Sequence, residues 1–222
     1  MPLCRHDDPP AEPLSIPVFR IAASSFRTRR GFRIVNSDKA LIRKHYCELR
    51  NRLDASEKAA ASSAICGYIR QLPEYRRHSC VAAFSAFGAE PDLQFLFGEK
   101  RWFLPRFNRE SALYDLVEVA DPRTQLVTGR DGIVEPRGDL PAAAASWCRD
   151  NLLFLVPAVA CSADGVRLGR GGGYYDRLLS GSEQPKIGVI FSCQLAEKLP
   201  YDAHDVLMDV IVTENGMTRC GC

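Results

Sequence analysis

The chain has 222 residues, 46% of them hydrophobic and 25% charged, a balance that suits a globular protein with one substantial domain. A net charge of +2 leaves no broad cationic face, so no nucleic-acid partner is expected. The longest apolar run, 152–161, is interrupted by Pro157 and falls well short of the roughly 20 residues that span a bilayer, so no membrane partner is expected.

Residues 1–36 read as an extension ahead of the folded part. Asp7-Asp8-Pro9-Pro10 and Pro13 favour turns, and 18–35 carries Arg20, Arg27, Arg29, Arg30 and Arg33 with no acid. A disordered tail is the preferred reading. An organelle transit peptide is the alternative, since such peptides are rich in Arg and Ser, although Asp7, Asp8 and Glu12 do not suit one. Nine cysteines are scattered without a CxxC pair. They read as buried thiols of a reducing, cytoplasmic chain, and no Cys or His pair has zinc-ligand spacing.

The folded part is expected over 37–222. Ile42, Tyr46, Leu49 and Leu53 follow the spacing of an amphipathic helix over 38–53. Asp54-Ala55-Ser56-Glu57 is a capping box that opens a second helix to about residue 71, ahead of Pro73. A strand is predicted at 80–84, a helix at 91–98, and a short strand at 102–104 that ends at Pro105-Arg106. Another strand is expected at 113–119, followed by a long loop over 121–149. Leu152 to Val156 reads as a fully buried strand. A helix then follows over 173–179, a strand over 187–191, and a last strand over 210–212. Strands alternating with helices imply parallel pairing in an α/β layer fold.

The segment Arg167-Leu168-Gly169-Arg170-Gly171-Gly172-Gly173-Tyr174-Tyr175-Asp176-Arg177 carries the most chemistry. A glycine-rich turn between a strand and a helix lets backbone N–H groups approach a phosphate. Arg167 and Arg170 can grip phosphate oxygens, and Tyr174 and Tyr175 offer rings and hydroxyls. The turn is neither a P-loop nor a dinucleotide fingerprint: no Gly-Lys-Ser/Thr closes it, and Tyr174 stands where the third glycine would fall. Asp176 is either a first-turn acid favoured by the helix dipole or a magnesium ligand, with Asp209 as a second carboxylate.

Together with Leu155 to Ala160 and Asp164-Gly165-Val166, this segment resembles the signature of the 5-formyltetrahydrofolate cyclo-ligases (methenyltetrahydrofolate synthetases). The resemblance runs in order over about 39–214. Lys39, Leu41 and Arg43 are similar to the family's basic helix. Phe84 to Asp92 is similar to its folate loop, and Leu104-Pro105-Arg106 and Ile133 to Pro136 match two further blocks. Asp205 with 209–214 is similar to its closing segment. The chain departs from the pattern at Ile42, Leu93, Cys161 and Gly172, where Leu, Thr, Phe and, in some members, Lys are usual.

The resemblance implies a single three-layer α/β/α domain with a mainly parallel sheet, similar to sugar-phosphate isomerases and CoA transferases. It implies a monomeric, ATP-dependent ligase that converts 5-formyltetrahydrofolate to 5,10-methenyltetrahydrofolate with Mg²⁺. ATP would lie on Lys39, Arg43 and the turn from Arg167 through Leu168, Gly169, Arg170, Gly171, Gly172 and Gly173 to Tyr174 and Tyr175. The folate would lie on Ser85, Glu90 and the turn from Arg170 to Tyr174. Arg170 and Tyr174 would take part in catalysis, and Asp176 and Asp209 would hold the metal. Two other readings remain at this point: a folate- or nucleotide-binding regulator without catalysis, and an isomerase- or transferase-like enzyme that needs no ATP.

Overall fold

The computed structural model describes residues 36–129, 132–143 and 151–221. Residues 1–35 therefore lie outside the described residues, together with the expected tail or transit peptide. Helix α1 (Asn36–Arg52) and helix α2 (Ala55–Gln71) agree with the sequence reading. Both halves of the capping box form: Asp54 Oδ1 accepts from the Glu57 amide at 2.8 Å, and Glu57 Oε2 accepts from the Asp54 amide at 2.7 Å. Pro73 then starts the short helix α3 (Pro73–Arg77), because proline lacks only an N–H that a first helical turn does not use.

The strands in chain order are β1 (Cys80–Ala82), β2 (Arg101–Asn108), β3 (Leu113–Val119), β4 (Leu126–Thr128), β5 (Val134–Pro136), β6 (Leu152–Pro157), β7 (Ala160–Ser162), β8 (Arg167–Leu168), β9 (Lys186–Val189), β10 (Leu195–Ala196), β11 (Val210–Thr213) and β12 (Gly216–Arg219). Helix α4 (Pro122–Gln125) precedes β4, and helix α5 (Tyr174–Leu179) follows β8. The main sheet has the order β12-β11-β9-β6-β1-β2-β3. Its five central strands are parallel, and β3 and β12 close its two edges antiparallel.

The central strands are buried on both faces, and their side chains alternate between two clusters, as the two-residue period of a strand requires. Val81, Leu153, Leu155, Ile187 and Val210 face Ile65 and Ile69 of α2. Ala82, Leu152, Phe154, Val156 and Ile211 face Leu179 of α5 on the other side. Both faces are covered, which gives the α/β/α layering. The small sheet β10-β7-β8 has its own cluster of Ala160, Val166, Leu168, Ala196 and Leu199, on which Ile42 and Tyr46 of α1 pack. No described helix is long and apolar enough to cross a membrane. The described cysteines Cys47, Cys66, Cys80, Cys161, Cys193 and Cys220 form no disulfide.

Four local expectations are corrected. The expected helix over 91–98 is a single turn at Gln94–Leu96; the Asp92 side chain caps it at the Gln94 amide, and Gly98 at φ 84° ends it. Strand β2 runs through Pro105 to Asn108 instead of stopping there. Beyond Phe103 it has no β1 neighbour, so from there it pairs with β3 alone, and a proline is tolerated where no ladder bond is needed. The expected loop over 121–149 contains α4 and the β4–β5 hairpin, while its residues 130–131 and 144–149 lie outside the described residues. Strand β11 is followed by β12, through the Asn215–Gly216 reversal.

Candidate active site

Parallel strands present their carboxyl ends to one edge of the sheet, and the loops there build sites. Here those ends meet a cavity of about 1060 Å³, walled by Phe84 and Ser85 after β1, Pro157 to Val159 after β6, and the glycine turn after β8. Lys39, Arg43, Glu90, Arg167 to Tyr175 and Asp176 all line it. Residues that the sequence spreads over more than a hundred positions therefore share one space. Asp209 does not: it precedes β11, and its carboxylate accepts from the Lys186 amide at 2.7 Å, at the start of β9. A residue ahead of a parallel strand lies at the amino edge, away from this cavity, so its expected place beside Asp176 is corrected.

The glycine turn is shaped by its backbone. Gly171 and Gly173 adopt φ of 101° and 65°, a region that side chains disfavour. Gly173 caps α5, which has only six residues. The macrodipole is a sum of aligned peptide dipoles, so the turn's amides and arginines must supply most of the positive potential, and the expected dipole contribution is small. Arg43 reaches over from α1 and donates through Nε to the Gly169 carbonyl at 2.8 Å. Leu168 joins the cavity wall, but its side chain is buried in the small-sheet cluster.

Three cations of the cavity are paired with carboxylates. Arg167, almost fully buried, donates to Asp176 Oδ1 at 2.9 Å and lies 5.6 Å from the Tyr175 ring centroid. Arg170 donates to Glu90 Oε1 at 2.7 Å and stacks 4.5 Å from the centroid of Phe87. The second Glu90 oxygen accepts from the Phe87 amide at 3.1 Å. Lys39 Nζ donates to Asp202 at 2.8 Å and Asp205 at 2.9 Å. Burial alone would lower the Lys39 pKa, but the hydrogen bonds to both aspartates outweigh it and hold it above the ordinary lysine value. Burial alone would raise Asp205, but the Asp202 amide and Lys39 hold it below the ordinary aspartate value. Burial pushes the Tyr175 and Tyr114 phenols up, so both rings stay neutral donors.

Several cavity residues escaped the sequence reading. Phe107 and Tyr114 are cross-strand partners on β2 and β3, and their rings lie 6.0 Å apart. Tyr174 joins them, at 5.5 Å from Phe107 and 5.3 Å from Tyr114. Two aromatic residues flanking the 108–112 reversal were the available signal. Asp202, His204 and Asp205 also reach the cavity, and their ligand atoms lie within 4.8 Å of one another. The Asp202-x-x-Asp205 spacing, typical of a side-chain-closed turn, was the signal there; the Asp202 amide donates to Asp205. Arg106 turns away and donates to the carbonyls of Arg137 and Leu140.

The comparisons agree with this architecture. The model of the 5-formyltetrahydrofolate cyclo-ligase family matches residues 35–214. The 5-formyltetrahydrofolate cyclo-ligase of Escherichia coli K12 is 36% identical over 141 residues, which cover 60% of this chain and 76% of that protein. The mouse protein of the same name is 26% identical over 199 residues, covering 82% and 96%. The NMR structure of Aquifex aeolicus 5,10-methenyltetrahydrofolate synthetase matches with a TM-score of 0.70 at 34% identity, covering 82% of this chain and 92% of that one. With the family's sequence pattern, its fold and one cavity that gathers the signature residues, this chain belongs to the 5-formyltetrahydrofolate cyclo-ligase family and is an enzyme of the ligase class.

Proposed function

We infer that the enzyme closes 5-formyltetrahydrofolate into 5,10-methenyltetrahydrofolate as ATP becomes ADP and phosphate, the formyl oxygen leaving in the phosphate. The observation that carries the reading is the shared cavity: the arginine-bearing glycine turn and the Glu90 loop face the same space. One wall suits a triphosphate. It offers Lys39, Arg43, Arg167, Arg170 and the amides of Gly169 to Gly173. The other suits a flat ring with a donor edge. It offers the Glu90 carboxylate and the aromatic faces of Phe84, Phe107, Tyr114 and Tyr174.

The chemistry needs no protein nucleophile. A formamide carbon is a weak electrophile and its oxygen a poor leaving group. The formyl oxygen attacks the γ-phosphorus and displaces ADP, which turns that oxygen into part of a phosphate ester. N10 then attacks the same carbon, the carbon–oxygen bond breaks, and the oxygen departs with phosphate while N10 loses its proton to solvent. The protein's task is to hold both substrates in line and to neutralise charge on the transferring group. Arg170 and Arg43 sit where the phosphates would meet the folate, and Tyr174 stands between the turn and the aromatic wall.

The donor set fits magnesium, which favours a few carboxylates together with phosphate oxygens. Asp176 and Asp205 are the carboxylates that would hold it, with Asp202 beside them; Asp205 would serve in the role expected of Asp209, because it lines the cavity. When bound, the ion would offset charge on the β- and γ-phosphates. Lys39 and Arg167 already hold those carboxylates in position.

The test is the appearance of the methenyltetrahydrofolate absorbance band when purified enzyme meets 5-formyltetrahydrofolate. The band should grow with ATP and Mg²⁺ and stay flat when either is withheld. Growth without ATP would overturn the reading.

A further inference from the structure

Arg50 lies near the end of α1 with its side chain only 7% exposed. Its Nε and Nη1 atoms are buried and make no hydrogen bond. A buried cation without its hydrogen bonds is costly, and a well-packed apolar residue of similar size is often as stable or more so. The charge therefore has a use beyond packing. Among the described residues its ion-pair partner is Glu90, whose Oε1 lies 4.0 Å from Arg50 Nη1 and whose side chain is 8% exposed.

Glu90 thus faces two cations that differ in kind. Arg50 is fixed within α1 and buried. Arg170 stands on the glycine turn with its side chain 46% exposed. In the reading above, Arg170 serves the phosphates and Glu90 serves the folate ring, yet here they bond to each other at 2.7 Å. Arg170 makes that bond through Nη2 alone, and turning its whole guanidinium fork to a phosphate would give the bond up. When it leaves, a nearly buried carboxylate would retain only the Phe87 amide at 3.1 Å and the unmoved charge of Arg50.

We propose that Arg50 is the positioning residue for Glu90: it balances and orients that carboxylate during the part of the cycle in which Arg170 is engaged with phosphate. The proposal rests on the assignment of Glu90 to the folate and Arg170 to the nucleotide. It makes Arg170 the exchangeable partner and Arg50 the permanent one. Arg170 and Phe87 also line a smaller cavity of about 330 Å³ beside Arg50, Gly88 and Ala89, so the Arg50 end of the loop has room to accept a small adjustment.

The experiment compares Arg50→Leu, Arg50→Lys and Glu90→Gln with the parent enzyme in steady-state turnover, thermal unfolding and equilibrium folate binding. Folate binding is read with and without a non-hydrolysable ATP analogue and Mg²⁺. Arg50→Leu should raise the folate KM about tenfold, the scale of one lost charged contact. The ATP KM should stay within about twofold, and the unfolding temperature should hold or rise, because a buried guanidinium with two nitrogens short of hydrogen bonds has gone while Arg170 still pairs with Glu90 in the free enzyme. The loss of folate affinity should be larger with the analogue bound than without it, and Arg50→Lys should recover most of it. Three results would overturn the proposal: an unchanged folate KM in Arg50→Leu, an unfolding temperature that falls with both KM values rising together, or a folate loss independent of the analogue. Glu90→Gln separates the two layers. If it binds folate normally, the assignment of Glu90 fails and takes the proposal with it. If it binds weakly while Arg50→Leu binds normally, only the role of Arg50 fails.

Discussion

Arg170 Nη2 and Glu90 Oε1 lie 2.7 Å apart across 80 positions of sequence. The pair ties the glycine turn after β8 to the loop after β1, and so joins the two walls of the cavity. It also makes a prediction about which substrate suffers when one partner is lost. Arg170→Ala should lower kcat/KM for ATP by about a hundredfold, the scale of a lost transition-state charge partner. Binding of folate alone should weaken far less. Steady-state kinetics with each substrate varied in turn would check this.

Asp176 should be indispensable for a different reason. Its carboxylate faces the buried Arg167 and the cavity at once. Asp176→Asn should abolish ATP-dependent turnover. It should also cost about 1–3 kcal/mol of stability, because Arg167 keeps only a weaker acceptor. The protein should still unfold cooperatively. Turnover and thermal unfolding measured on the same sample would separate these effects, and near-normal turnover would refute the metal role.

Gly171 offers a backbone test of the phosphate turn. Its φ is 101°, and a Cβ there would lie 3.3 Å from Arg43 Cζ. Gly171→Ala should therefore strain the turn by about 1–3 kcal/mol and displace Arg43. The expected result is an ATP KM raised about tenfold, the scale of one charged contact, with folate binding much less affected. Binding of ATP-Mg by calorimetry would measure it.

The Lys39–Asp205 clasp makes a pH prediction. Asp205 lies below its ordinary value of 3.8 in the folded chain. The native state then binds fewer protons than the unfolded one, so its contribution is complete above that ordinary value and is lost as pH falls through the lowered one. Lys39 lies above its ordinary value of 10.5, so its own contribution is complete below 10.5 and is lost only as pH rises through the raised one. The unfolding-temperature gap between parent and Asp205→Asn should be full and flat across neutral pH. It should shrink on the acid side only when the pH drops below about 3.8, and on the alkaline side only above about 10.5. A gap that closes near neutrality would contradict this.

What the sequence revealed follows from how local each signal is. The capping box at Asp54 and Glu57 closes within four residues, and it forms as written. The fully apolar run of β6 announced a strand with both faces covered. The turn from Arg167 to Asp176 carried its own chemistry. Other features depended on neighbours far away in the chain. Whether Pro105 ends a strand depends on the length of β1, which no window around Pro105 contains. Asp205 and Asp209 look alike in sequence. Only the direction of β11 against the sheet puts Asp209 at the amino edge and leaves Asp205 on the cavity. Arg50 looked like one more basic residue in a basic helix until burial placed it against Glu90. Phe107 and Tyr114 needed the β2–β3 register to become neighbours.

In the proposed reaction the cavity delivers the γ-phosphoryl group to the formyl oxygen. An oxygen-18 label in that formyl group tests it most directly. With ATP and Mg²⁺ present, mass spectrometry of the released phosphate should find the label there, one atom for each methenyltetrahydrofolate formed. Label recovered in water, with unlabelled phosphate, would contradict the account.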